Sequence, residues 1–263
     1  MVELLAAEWS QIASLLAELD DSEWSAPALP GWDVHDVVAH LVGGERMLDG
    51  EPTPSVPDEP DSAPHVGNDI ARMNEAWVVE LRKRSHAELR SDFVAITDKR
   101  LATLRAMSDE DFAAPSWTPV GHATYGRFMA VRVFDAWMHE QDIRAATARP
   151  GHEDGPVAEA ALDEVVGALG YIVGKRGGAP DGSLVTFRLT EPLRRELHVV
   201  VTGKAHVVDA LPGEPTVTMS LSSSLFLRLA GGRLDPATAL DRVEISGDPS
   251  LGRQLVTNLG YTI

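Results

Sequence analysis

The 263-residue chain contains no cysteine. That excludes disulfides, zinc–thiolate sites and a cysteine nucleophile, so any thiol chemistry must use a sulfur brought by a cosubstrate. Basic residues are scarce: 23 Lys and Arg against 40 Asp and Glu leave a net charge of −17. Such a surface lacks the positive footprint that nucleic acid requires, and it is repelled by anionic membranes. Its plain consequence is solubility. No apolar run is long enough to span a bilayer. The start, MVELLAAEWSQIA, carries acids early and no basic n-region, so it does not read as a signal peptide. The expectation is a cytoplasmic protein. Several motifs are also missing. No G-x-G-x-x-G follows a strand, and Gly174-Lys175-Arg176-Gly177-Gly178 lacks Walker spacing. No G-x-S-x-G elbow occurs, and Ser222-Ser223-Ser224 reads as a helix cap. His139-Glu140 begins like a zincin, but Ile143 stands where the second histidine belongs.

What is present is enough length for one large domain or two ordinary ones. Apolar residues at Leu5, Trp9, Ile12, Leu15, Leu16 and Leu19 predict a helix over residues 4–19. Asp33 with Asp36 predicts a capped helix start, and Trp32 and Val37 occupy the staple positions. That second helix runs to about residue 48. Pro52, Pro54, Pro57, Pro60 and Pro64 make residues 51–65 a loop of the kind that borders sites. Residues 68–107 read as mostly helical, with a restart at the Ser85/Glu88 capping box. A loop over 108–123 leads into a long helix over 124–146. Four helices in the first 150 residues suit a bundle. After Arg149-Pro150-Gly151 the pattern changes. A helix over 155–172 and a Gly-rich turn at 174–182 precede alternating segments at 184–189, 197–201, 205–208 and 216–219. These read as antiparallel strands joined by hairpins. Short helices at 222–230 and 249–259 flank a strand at 242–246. The expected fold class is α plus α+β, with a helical bundle over 1–150 and a small α+β domain over 151–263.

The chemistry concentrates in RVFDAWMHEQDIRAA, where Asp135 and His139 stand four apart and so point the same way on a helix. Val131, Val133, Phe134, Ala136, Trp137, Met138 and Ile143 surround them, so the helix is expected to be buried. A stripe of Arg132, Asp135, His139 and Asp142 through such a helix is costly unless something satisfies it. In VVAHLVGG, His40 is the only polar residue between Val37 and Val42. Alone, His40 reads as a buried histidine bonded to a carbonyl, and Asp135 with His139 as a local hydrogen bond. Together the three make two imidazoles and a carboxylate, a common catalytic metal set with positions left open. Spacing leaves both readings standing. Arg132 either binds an anionic substrate or pairs with Asp135 or Asp142. Arg233, in LAGGRLD, is either a substrate-binding arginine or a helix-end arginine in solvent. Phe128, Met129 and Trp137 are expected in the core.

Through LPGWDVHDVVAHLVGGE and RVFDAWMHEQDIRAA the N-terminal part resembles the DinB-like metal-binding bundle of the actinobacterial mycothiol-dependent maleylpyruvate isomerase family. LAGGRLDPATAL and VEISGDPSLGRQLV resemble that family's small sterol-carrier-like domain. The resemblance implies that His40, Asp135 and His139 ligate a divalent metal, zinc or alternatively nickel. The family's isomerase has glutamate where this chain has Asp135. The implied cosubstrate is mycothiol, its thiol acidified by the metal. Its thiolate adds to an activated double bond, and rotation and expulsion convert cis to trans. Release of the adduct instead would be S-transfer. Arg132 and Arg233 then become candidates for holding substrate carboxylates, and Glu140 and Asp142 for orienting a histidine ligand. The expected partners are mycothiol and a small unsaturated oxo-acid such as maleylpyruvate, with a monomer and a homodimer both open. The competing reading is a non-catalytic protein that binds a small molecule or lipid, since fold-level likeness does not fix a substrate.

Overall fold

A computed structural model describes residues 1–55, 66–119 and 121–262. The second half of the proline-rich loop lies outside the described residues. The chain forms two compact units, Met1–Gly151 and His152–Ile263.

The first unit is built on α1 (Val2–Glu18), α2 (Asp21–Trp24), the hairpin β1 (Pro27–Leu29) and β2 (Trp32–Asp33), α3 (Val34–Leu48), α4 (Asp69–Leu81), α5 (His86–Ala106), α6 (Asp109–Ala113), the hairpin β3 (Pro115–Thr118) and β4 (Gly121–Thr124), and α7 (Tyr125–Ala146). Helices α1, α3, α5 and α7 form the four-helix bundle, with α1 and α3 each packed on α5 and α7. Helix α4 packs on α3 as an added fifth element. The helical stretch expected over 68–107 is two helices, α4 and α5, divided at the expected restart. The break falls where Ser85 caps α5 in a reciprocal box with Glu88, which ends one hydrogen-bond ladder and starts another. The same device starts α3, where Asp33 accepts from the Asp36 amide and Asp36 from the Asp33 amide. The expected loop over 108–123 instead holds α6, capped by Ser108 and Asp111, and a hairpin of two four-residue strands that ends at Thr124. Elements this short leave too little periodicity to be read.

Helix α3 is apolar almost all round, so every residue from Val34 to Gly43 is buried. This is the pattern of a helix enclosed by neighbours rather than lying on a surface. Two glycines let it come that close. A Cβ on Gly43 would fall 2.4 Å from Trp77 Cβ on α4, and one on Gly44 would fall 3.2 Å from Arg132 Nη2 on α7.

The second unit contains α8 (Gly155–Tyr171), a π-turn (Ile172–Arg176), β5 (Leu184–Thr190), β6 (Arg195–Thr202), β7 (Lys204–Val208), β8 (Val217–Ser222), α9 (Ser223–Ala230), α10 (Pro236–Ala239), β9 (Glu244–Gly247) and α11 (Pro249–Thr257). The sheet order is β7-β6-β5-β8-β9. Leu197, Val199 and Val201 alternate inward on β6, and Val185, Phe187 and Leu189 on β5. One expectation is corrected here. The strand at 216–219 does not close a hairpin, because β8 runs parallel to β5, with Phe187 opposite Met219. The connection after β7 carries the chain past β6 to the far side of β5, so β8 enters in the same direction as β5. Among the described residues no helix is long and apolar enough to cross a membrane.

Candidate metal centre

His40 comes from the middle of α3, and Asp135 and His139 from successive turns of α7. The structure brings the three together: one potential ligand atom from each lies within 4.8 Å of the others. His40 Nε2 is 3.6 Å from Asp135 Oδ2, and His139 Nε2 is 3.7 Å from Asp135 Oδ1. The imidazole rings meet at a centroid distance of 4.7 Å and an angle of 65°. These separations exceed hydrogen-bond length, so the groups surround a point rather than bonding to one another.

Three observations bear on whether a cation suits that point. Both ring nitrogens of His40 are buried without a hydrogen-bond partner, an arrangement that is costly unless something else binds them. Burial pushes the His40 pKa down, with His139 and Arg132 adding to this against an opposing pull from Asp135. The ring is therefore neutral at neutral pH, as a ligand must be. Burial alone would raise the Asp135 pKa, but Arg132, His139 and His40 together hold it well below the usual carboxylate range. Two imidazoles, the His40 ring held neutral, and one ionised carboxylate suit zinc and nickel. Asp135 also keeps 28% of its side chain exposed, so the cluster is open to small molecules.

Asp142 lies on the far side of His139, its Oδ2 3.1 Å from Nδ1. The buried carboxylate favours a proton on Nδ1, which leaves the Nε2 lone pair facing the cluster. Trp32 lies over both imidazoles, with centroids 5.3 Å from His40 and 6.4 Å from His139. Its indole is fixed by Nε1 donating to Glu75 Oε2 at 2.8 Å.

Arg132 is at the site but already engaged. Its Nη1 donates to Asp135 Oδ2 at 2.6 Å, and its Nε donates to Glu45 Oε1 at 2.9 Å. The other Glu45 oxygen accepts from Arg100 Nε at 3.2 Å, and Arg100 Nη2 donates to the Tyr125 hydroxyl at 2.6 Å. Glu45, Arg100 and Tyr125 were not anticipated from the sequence. Glu45 ends the LVGGE motif, five residues after His40, which was the one available signal. Glu140 turns away from His139 and accepts from Arg144 Nε at 2.8 Å. Arg233 belongs to the second unit, where its Nη1 donates to the Gly231 carbonyl at 2.7 Å.

The family model of the mycothiol maleylpyruvate isomerase N-terminal domain matches residues 5–144. The chain belongs to this family. The model of the family's C-terminal domain matches residues 159–254. Among solved structures, a mycothiol-dependent maleylpyruvate isomerase is 19% identical, covers 93% of this chain and 91% of its own, and superposes with a TM-score of 0.60. A histidine-to-alanine mutant of such an isomerase gives 20% identity, the same coverage and a TM-score of 0.57. At these identities the likeness shows the fold. Sterol Carrier Protein 2 from Yarrowia lipolytica covers 40% of this chain and 94% of its own at 10% identity, but its TM-score of 0.29 carries no argument. No curated protein matches the chain.

Proposed function

We propose that this protein is a mycothiol-dependent enzyme whose His40, Asp135 and His139 hold a divalent metal, zinc or nickel, and that it isomerises an unsaturated oxo-acid of the maleylpyruvate type. The observation that carries the reading is the convergence of three metal-ligand side chains, one with both ring nitrogens unpaired, in a chain of this family. When bound, such an ion supplies the Lewis acidity that makes a thiol ionise near neutral pH. The protein's own residues do the rest. His40 and His139 offer ring nitrogens, Asp142 sets the tautomer of His139, and Asp135 supplies negative charge. Trp32 covers one side of the cluster and keeps water from it. Arg132, committed to Glu45 and Asp135, acts by holding Asp135 rather than by clamping substrate.

S-transfer, in which the thiol adduct leaves as product, is the alternative outcome at the same site. The carrier reading has less support. A groove of about 510 Å³ in the second unit is lined by Lys175, Lys204 and Asp181 among other residues. Those charges would lose water if an acyl chain covered them.

The test is elemental analysis of the purified protein, followed by turnover of maleylpyruvate with mycothiol and mass spectrometry of the products. Near-stoichiometric zinc or nickel with cis–trans conversion supports the proposal, and accumulation of a stable thioether assigns S-transfer. Metal retained by His139→Ala would overturn the ligand assignment.

A further inference from the structure

Resting on that metal-site reading, we propose that Arg132 is a positioning residue that occupies one oxygen of Asp135 and leaves the other as the single oxygen available to the ion, with Glu45 and Arg100 locking it in place. Arg100, Glu45, Arg132 and Asp135 form a chain of alternating charge. Its first three members are almost without solvent, at 2%, 1% and 7% exposure. Each inner member has two oppositely charged partners, although Arg132 Nη2 is buried without a hydrogen bond, and a buried array of this kind holds its geometry because displacement separates its charges. The guanidinium fork is rigid. With Nε on Glu45, Nη1 is directed at Asp135 Oδ2.

The free oxygen, Oδ1, faces His139 Nε2 at 3.7 Å, while Oδ2, which faces His40 Nε2 at 3.6 Å, is the one Arg132 takes. The 2.6 Å ion pair on Oδ2 is short and charge-assisted, and it competes directly with any cation for that oxygen. Gly44 belongs to the same device. Its missing Cβ gives Arg132 Nη2 the space it occupies beside α3. With Nε and Nη1 taken, the one donor of Arg132 left to a carboxylate substrate is Nη2, which is buried beside Gly44 without a hydrogen-bond partner. The guanidinium also shares the negative charge of Asp135, so a bound ion keeps more of its own positive charge and more of its Lewis acidity.

The competition gives the inference a distinctive sign. A side chain that merely supports a ligand lowers metal affinity when lost, by roughly 10–100-fold. Loss of Arg132 should raise it instead. The experiment loads the metal-free full chain with Co²⁺ and records visible absorption and affinity by chelator competition. Wild-type protein is expected to give the intense bands of a low-coordinate ion. Arg132→Gln should bind Co²⁺ more tightly, on the order of tenfold if it reverses the usual support effect, with weaker bands as the second oxygen joins the ion. Arg132→Lys, which restores a charged donor, should return both readouts toward wild type. Unchanged or weakened affinity in a folded Arg132→Gln protein, or a spectrum superimposable on wild type, overturns the inference. If Arg132→Gln does not fold, Glu45→Gln leaves Asp135 as the anionic partner of Arg132 and so strengthens the competition; it should weaken Co²⁺ binding while keeping the intense bands, and unchanged or tighter binding overturns the inference. Wild-type protein that takes up no Co²⁺ overturns the metal-site reading itself, a result distinct from the others.

Discussion

Asp142 Oδ2 lies 3.1 Å from His139 Nδ1, one turn further along the same buried helix. The contact fixes which nitrogen of His139 faces Asp135 and His40. Asp142→Asn keeps the shape but can present an amide hydrogen to Nδ1 and favour the wrong tautomer. The expected result is a loss of metal affinity of about 10–100-fold with little change in helix content. Chelator competition and far-ultraviolet circular dichroism check it, and unchanged affinity would remove Asp142 from the site.

The two glycines of α3 should separate packing from site chemistry. Gly43→Ala places a methyl 2.4 Å from Trp77 Cβ, a contact that neither backbone can relieve cheaply. Overpacking of this kind costs about 1–3 kcal/mol. Gly44→Ala meets only the end of Arg132, at 3.2 Å, so it should cost less stability and disturb metal binding more. Urea unfolding and metal titration of both variants give the comparison; equal effects on both measurements would contradict it.

Glu8, buried on α1, faces Glu140, which already accepts Arg144 Nη2 at 2.7 Å. Burial first, and then the charge and hydrogen bond of Glu140, push the Glu8 pKa well above its ordinary value, with Arg144 offsetting this in part. A carboxyl raised in the folded state contributes stability fully below its unfolded pKa and loses that contribution as pH rises through the folded value. Glu8→Gln, which keeps a donor but cannot ionise, should therefore gain stability over wild type on going from pH 5 to pH 8. Denaturation midpoints at the two pH values test this, and a difference that shrinks toward alkaline pH would refute it.

Phe226 on α9 meets Phe187 of β5 edge to face at 5.4 Å, both fully buried. Phe226→Ala should cost about 3–5 kcal/mol, seen as an early loss of near-ultraviolet circular dichroism on denaturation. A cost under 1 kcal/mol would mean that the site collapses around the smaller side chain.

The features legible in the sequence were those carried by local spacing. Asp33/Asp36 and Ser85/Glu88 announced helix starts because capping acts within one turn. Asp135 and His139 announced a shared face because helical periodicity is local too. His40 could be joined to them only as a possibility, since its partners lie on another helix. The chain through Glu45 was not legible. Arg100 and Arg132 lie 55 and 87 positions from it, and no periodicity links residues across that distance. The bond from Trp32 to Glu75 was hidden for the same reason, at a separation of 43. The direction of β8 depends on where the preceding connection carries the chain, and alternation within a strand does not report that.

Strand β5 is flanked by β6, reached after a short turn, and by β8, whose Val217 lies opposite Val185 across 32 intervening steps of chain. The two flanks differ in the entropy needed to form them. The β5–β6–β7 ribbon can zip up from its turns, whereas the β8 side closes a longer loop before any ladder bond repays it. Acquisition of the second flank should therefore set the pace at which this unit folds, and substitutions in 209–216 that stiffen or shorten that link should alter the refolding rate more than the final stability.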